Sequence, residues 1–180
     1  FPCKVVLVRP LSSDRISLVP LVAEHAADYI ALSNEPSISL RLNNPEVFTR
    51  QHFDELLAAT QKGIAHYVWM IYFSGYVCGA INAADPRGVG IFQGGYWLTP
   101  HLRGKGIAGE ALALVRDFLF QHCAAKRLQA QVEPDNVASI RVLESCGYMR
   151  EGLLRQFYPS RTRGLLDVFM YAIVDGEKRE

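Results

Sequence analysis

The chain has 180 residues, nearly half of them hydrophobic and about a fifth charged, with a formal net charge of +1. That length suits a single domain, residues 1–180, with a substantial core. The near-neutral balance gives no sign of a nucleic-acid partner. No apolar run approaches the ~18 residues a membrane-crossing helix needs, so no membrane partner is expected. Cys3, Cys78, Cys123 and Cys146 show neither a C-x-x-C pair nor a Cys/His metal spacing, and the five histidines are scattered. The cysteines read as small buried or half-buried thiols in a reducing cytoplasm, and no metal is expected. The first residues hold a short apolar run without the charged lead and long apolar stretch of a secretory signal.

In chain order, Val5 to Val8 reads as a short edge strand, and Arg15 to Leu21 alternates polar and apolar residues as a strand should. A helix is predicted over about Ala23 to Leu32, broken at Ser33-Asn-Glu-Pro36, because a residue before proline disfavours the α region. Ser37 to Pro45 reads as a loop. A second helix spans about Thr49 to Gln61, with Thr49 or Asn44 as its start signal and Gly63 as its stop. His66 to Phe73 and Tyr76 to Ala83 form a hairpin about Ser74-Gly75. The turn Asp85-Pro-Arg-Gly88 then leads to a strand from Phe92 to Thr99, stopped by Pro100.

Arg103 to Gly106 form a tight glycine turn, and from Ile107 the apolar residues recur at helical spacing: Ile107, Ala111, Leu114, Val115, Phe118 and Leu119. A strand passing through such a turn into a helix start aims several unpaired N–H groups at one spot, where the helix dipole adds positive charge. Anions bind there, and Gly104 and Gly106, lacking Cβ, let one come close. Arg103 and Lys105 supply formal charge. Downstream, Arg127 to Val132 alternates as a strand. A helix capped by Asn136 ends at Gly147, and two strands, about Tyr148 to Phe157 and Leu166 to Val174, flank a basic loop from Tyr158 to Gly164. The order β-α-α-β-β-β-α-β-α-β-β mixes hairpins with crossover helices, an α+β class rather than a doubly wound sheet.

The turn is neither a Walker loop nor a dinucleotide fingerprint, since G-x-x-x-x-G-K-[ST] is absent and no acidic residue follows at the ribose-binding distance. Arg103-x-x-Gly106-x-Ala108 instead resembles the [QR]-x-x-G-x-[GA] signature of the GNAT N-acetyltransferases. Gly95-Tyr96-Trp97-Leu98 before it, and Gly106-Ile107-Ala108-x-Glu110-Ala111 after it, look like the ribosomal-protein N-terminal (RimJ/RimL-like) branch. A second block, Asn136-x-x-Ser139-x-x-Val142-Leu143-Glu144-x-x-Gly147-Tyr148, is similar to that family's N-x-x-S-x-x-[VL]-[LY]-E-[KS]-x-G-[FY] run. The resemblance covers about Arg15 to Ile173.

The resemblance implies a mostly antiparallel sheet flanked by helices and acetyl-CoA as cosubstrate. It places the pyrophosphate on Arg103, Gly104, Lys105, Gly106, Ile107 and Ala108, and main-chain groups of Trp97, Leu98 and Thr99 along the pantetheine. It sets Asn136 on the coenzyme arm and Ser139 by the thioester sulfur. Direct attack by an amine needs a proton acceptor, oxyanion donors and a proton for the leaving thiolate, but no cysteine nucleophile or metal.

Two positions depart from the family. Gln93 stands where many relatives carry glutamate, and an amide cannot accept the amine proton as a carboxylate would. Leu143 stands where the broader superfamily often has a tyrosine acid. That leaves Ser139 as the candidate acid and the base open, with Gln93, Tyr96 or Glu133 as holders of a water chain. The resemblance implies a cytoplasmic N-acetyltransferase, monomeric or homodimeric, acting on a primary amine such as a protein N-terminus. Small amines (a polyamine, an amino acid or an aminoglycoside) and a catalytically silent acyl-CoA-binding module are the alternatives. A carboxylate-lined pocket would favour a polyamine, and an open groove a peptide.

Overall fold

The computed structural model describes residues 6–42, 45–62 and 65–176. Among these, eight strands occur: β1 Leu11–Ser12, β2 Ile16–Pro20, β3 Ala65–Phe73, β4 Tyr76–Asp85, β5 Ile91–Leu98, β6 Arg127–Val132, β7 Met149–Ser160 and β8 Gly164–Val174. They form one sheet in the order β1-β2-β3-β4-β5-β6-β8-β7, and every neighbouring pair is antiparallel except β5 with β6. The helices are α1 Ala26–Ser33, α2 Pro36–Ser39, α3 Arg50–Gln61, α4 Ile107–His122 and α5 Val137–Ser145. This is the expected mixed α+β class, and no helix of the described residues is long and apolar enough to cross a membrane.

Three local expectations are corrected. No strand forms over residues 6 to 10, and Val5 lies outside the described residues. Side chains of β3 hold that segment instead: the Val6 N–H donates to the Tyr67 hydroxyl (3.2 Å), and the Trp69 Nε1–H to the Arg9 carbonyl (2.8 Å). Pro36 does break the first helix, but it also begins α2, in what was expected to be loop. Proline fits a first helical position, and the Glu35 carboxylate caps the turn by accepting from the Ile38 N–H (3.1 Å). Finally, Tyr158 to Ser160 extend β7, so the basic loop shrinks to a turn around Arg161, Thr162 and Arg163. The expected starts of α3 at Thr49 and of α5 at Asn136 are both present as caps. The other start signal, Asn44, and the stop signal, Gly63, lie outside the described residues.

Helices cover the two faces of the sheet unequally. On one face α4 and α5 bury Ile107, Ala111, Val115, Phe118, Leu119 and Leu143 against Ile81, Phe92, Leu128 and Tyr171. On the other, α1 and α3 bury Ala26 and Phe53 against Val68, Met70 and Ala80, with Tyr29 and Trp97 packed edge-on at 5.6 Å. That second cover stops near β5. The register carries that face on through Gln93, Gln129, Ala172 and Met149; Gln93 is exposed and Met149 61% exposed, while Ala172 between them is buried.

Candidate functional site

The parallel pair gives the site its shape. β5 and β6 are bonded only from Ile91 to Gln93 against Arg127 to Gln129. Beyond that point β5 stays with β4 as far as Leu98, while β6 stays with β8 as far as Val132. The two strands therefore part, and the β6-facing edge of residues 94–98 has no partner strand. Backbone left unpaired in a cleft suits an extended ligand that carries amides of its own.

The wide end of this splay meets the glycine turn. Gly104 and Gly106 have φ of +76° and +78°, a region costly to other residues, and a Cβ at Gly104 would meet open space. Gly106 is the N-cap of α4, whose first internal bond is from the Glu110 N–H to the Gly106 carbonyl (3.1 Å). The amides of Ile107, Ala108 and Gly109 thus stand ahead of the helical ladder while the Ile107 and Ala108 side chains anchor in the core. A groove of about 620 Å³ continues from Gly106 and Gly109 between α4 and α5, past Arg116, Arg141 and Ser145. Orphan donors, an open glycine cradle and a basic groove fit a coenzyme with a pyrophosphate.

The turn is pinned by a residue the sequence reading gave no role. Arg15, at the start of β2, donates to the Lys105 carbonyl (3.0 Å) and through Nε to Glu110 (2.9 Å), and the Ser13 hydroxyl also bonds Glu110. These bonds hold the Glu110 carboxyl below its usual range, the Ser13 hydroxyl most of all. Arg103 points elsewhere: its guanidinium donates to the Leu98 carbonyl (3.2 Å) and to the Ser37 hydroxyl of α2 (3.0 Å). The Thr99 N–H is taken by the Cys78 carbonyl (2.8 Å). So the Leu98 carbonyl and the Thr99 N–H already have partners, and Trp97 stands opposite Ala80 in the ladder with β4.

Deeper in the splay, Gln93 sits where the strands part, its amide oxygen accepting from Gln129 Nε2 (3.1 Å). Across the opening, the Tyr96 hydroxyl meets the Ser139 Oγ at 2.8 Å. Ser139 stands in the first turn of α5, where its N–H donates to the Asn136 cap (3.3 Å). Leu143 is 3% exposed and belongs to the core, as does Tyr148. No tyrosine therefore approaches from the helical position of Leu143; one comes from β5 instead.

Beyond the end of β6, Glu133 is clamped by two arginines. Arg163 from the β7–β8 turn grips both its oxygens (2.6 and 2.9 Å), and Arg41 lies 3.2 Å away while also pairing with Asp135 (2.9 Å). Hydrogen bonds from Arg163, with Arg41 beside it, hold the Glu133 carboxyl below the normal range. That makes it a fastener rather than a proton acceptor. Glu151, nearby on β7, is gripped by Arg127 in the same way. His66 lies in the register row of Ala84, Gln93 and Gln129, and burial lowers its imidazole pKa. Two strand spacings, ~10 Å, separate it from Gln93, too far for direct contact.

Comparison with known proteins bears on the family and the fold. Residues 15–149 match the family model of the acetyltransferase (GNAT) domain. The chain belongs to the GNAT acetyltransferase family. The uncharacterized N-acetyltransferase p20 of Bacillus licheniformis is 39% identical over 83 residues, 46% of this chain and 46% of that protein. The chain spans about half the length of the curated relatives it matches. Among solved structures, Mycobacterium smegmatis RimJ in complex with CoA-disulfide superposes with a TM-score of 0.81 at 24% identity, covering 96% of this chain and 89% of that one. Spermidine N-acetyltransferase from Vibrio cholerae, in complex with CoA and spermine, gives 0.80 at 17% identity, covering 90% and 96%. At these identities the likeness is one of GNAT fold.

Tyr96, Arg15 and Arg41 are the site residues that sequence reading passed over or gave only a weak role. Tyr96 sits in an aromatic strand, where packing is the usual explanation. The two arginines act on partners 90 or more residues away, at Lys105 and Glu110 for Arg15 and at Glu133 and Asp135 for Arg41.

Proposed function

We propose that the chain is an acetyl-CoA-dependent N-acetyltransferase acting on a primary amine, and that the acceptor is a peptide α-amine. The observation that carries this reading is the splay of β5 from β6, open at Gly94 to Leu98 and ending at the glycine start of α4. Acetyl-CoA supplies an acetyl group activated as a thioester. The orphan amides of Ile107, Ala108 and Gly109 hold the pyrophosphate, with Gly104 and Gly106 admitting it and Lys105 lending charge. The unpaired edge of β5 orients the amide-bearing arm. Arg103 ties that edge to α2, and Asn136 sets the first turn of α5 so that Ser139 faces the sulfur.

The acceptor side distinguishes peptide from polyamine. A polyamine would need free carboxylates, but Glu133 and Glu151 on that side are engaged by arginines. The face around Gln93 is uncovered, as an open groove for a chain end would be. With an amide at 93, base catalysis falls to water ordered by Gln93 and Gln129, so the rate should rise as more amine becomes free base. A screen of N-terminal peptides and small amines with acetyl-CoA, followed by free-thiol release, tests the reading. Turnover with peptides supports it, and turnover confined to polyamines replaces the acceptor. Coenzyme binding with no turnover on any amine favours the silent acyl-CoA-binding module, for which Gln93 is the supporting residue.

A further inference from the structure

Packing explains the ring of Tyr96 but not the reach of its hydroxyl. Its ring lies against the main core, yet its hydroxyl reaches across the splay to the Ser139 Oγ at 2.8 Å, and burial raises its pKa so that the phenol stays protonated. Two hydroxyls in contact share one hydrogen between them, and either could donate. The choice matters chemically. If Ser139 donates to Tyr96, its only hydrogen is spent. If Tyr96 donates to Ser139, the serine oxygen is an acceptor there and its own hydrogen is free for a third group.

Acidity favours the second arrangement, because a phenol gives its hydrogen more readily than an aliphatic hydroxyl. Ser139 is already fixed by its N–H to Asn136, and Leu143, one helical turn on, is buried carbon. No other polar side chain of the described residues bonds Tyr96 or the Ser139 hydroxyl. We propose that Tyr96 is a positioning residue, donating its phenolic hydrogen to Ser139 so that the serine hydroxyl points its own hydrogen at the departing sulfur. This rests on the reading that Ser139 faces the thioester. The reaction forms the bond from amine nitrogen to carbonyl carbon and breaks the bond from that carbon to sulfur. The electron pair leaves on sulfur, and the proton shed by nitrogen balances the one the thiol gains. Ser139 stabilises the charge on sulfur by hydrogen bonding, and Tyr96 strengthens that bond by polarising the same oxygen.

The test is a double-mutant cycle on the whole chain, with acetyl-CoA and the best amine of the screen, measuring kcat, KM for acetyl-CoA, and thermal unfolding. Tyr96→Phe keeps the ring in the core and removes only the donor. It should lower kcat at least about tenfold, as loss of a hydrogen bond acting on developing charge does. KM for acetyl-CoA should hold within about twofold, because the contact matters only as charge grows on sulfur. In the Ser139→Ala background the same change should cost nothing further, since the path from phenol to sulfur is already cut. A structural role would instead lower the melting temperature and leave kcat alone. If Ser139→Ala lowers kcat but Tyr96→Phe does not, the role of Tyr96 is overturned while the assignment of Ser139 stands. If neither changes kcat, Ser139 does not face the sulfur. Additive effects of the two changes would also overturn the proposal.

Discussion

The two sides of the splay's wide mouth are built from different materials. On the α4 side the exposed donors are backbone amides, set by two glycines at positive φ and pinned from outside by Arg15. On the β6 side the boundary is made of side chains: Arg163, Glu133, Arg41 and Asp135 join the β7–β8 turn, the end of β6 and the segment after α2. A backbone cradle carries fixed dipoles that neither pH nor modest salt removes, whereas ion pairs loosen with both. The side proposed for the coenzyme is thus rigid by construction and the side proposed for the acceptor adjustable.

The largest expected effect attacks the rigid side. Gly106→Asp puts a Cβ and a negative charge at the start of α4; aspartate tolerates positive φ, so the fold should survive. Coenzyme affinity should fall at least about tenfold, about 1.4 kcal/mol, by calorimetry. Unchanged binding by a folded variant would remove the coenzyme from this turn and end the contrast. Next in size is Gln93→Glu, which returns an ionisable acceptor to the narrow end. Position 93 is exposed in the free chain, so only bound substrates would desolvate the new carboxyl and raise its pKa, giving a rate advantage of about fivefold near pH 6.5 that shrinks as the free amine accumulates at higher pH. A pH–rate profile parallel to the parent's would place the proton acceptor elsewhere.

Smaller again is the fastener. Glu133 is mostly buried, but Arg41 and Arg163 are 41% and 39% exposed, so Glu133→Gln should cost only about 1 kcal/mol at pH 7. The sign is fixed by the lowered carboxyl pKa of the folded chain. The contribution is present above the ordinary glutamate value near 4.5 and is lost as pH falls through the folded one. Melting curves of parent and variant should therefore differ at pH 7 and converge as pH falls below the lowered carboxyl pKa of the folded chain; a gap that persists in acid would show the loss is one of packing. The smallest effect is expected of Arg15→Ala. Its pair with Glu110 is 48% exposed on the arginine side, so stability should change by about 0.5 kcal/mol. Coenzyme affinity should weaken two- to threefold, roughly the same energy, as the turn loses its brace. A larger loss would mean that the brace, not the glycines, sets the cradle.

How far each side could be read in advance follows the same division. Gly104, Gly106, Gly147 and the Asn136 cap were legible because each answers a question settled within a few residues: which residue takes a positive φ, and which side chain satisfies an orphan N–H. The strands β3 to β6 were legible for similarly local reasons: apolar and aromatic runs bounded by turn residues, and alternation in β6. Pro36 was read as a stop alone, although proline starts a helix as readily as it ends one, and the choice depended on Glu35 capping it. The strand expected over Val5 to Val8 had the right apolar residues, but a strand needs a partner edge. What met residues 6 to 10 were the side chains of Tyr67 and Trp69.

The order of residues along the chain thus determined the turns, the caps, the periodicity of each element and the motifs that mark a GNAT domain. Those depend on backbone torsions and on neighbours no more than a turn away. Tertiary structure alone decided that β5 and β6 part after Gln93 and Gln129, that Tyr96 finds Ser139 from 43 positions away, and that Glu133 is spent on arginines instead of protons. Each of these is a distance between segments far apart in the chain. Such distances are set by how the whole sheet twists and packs, and no local pattern carries that information.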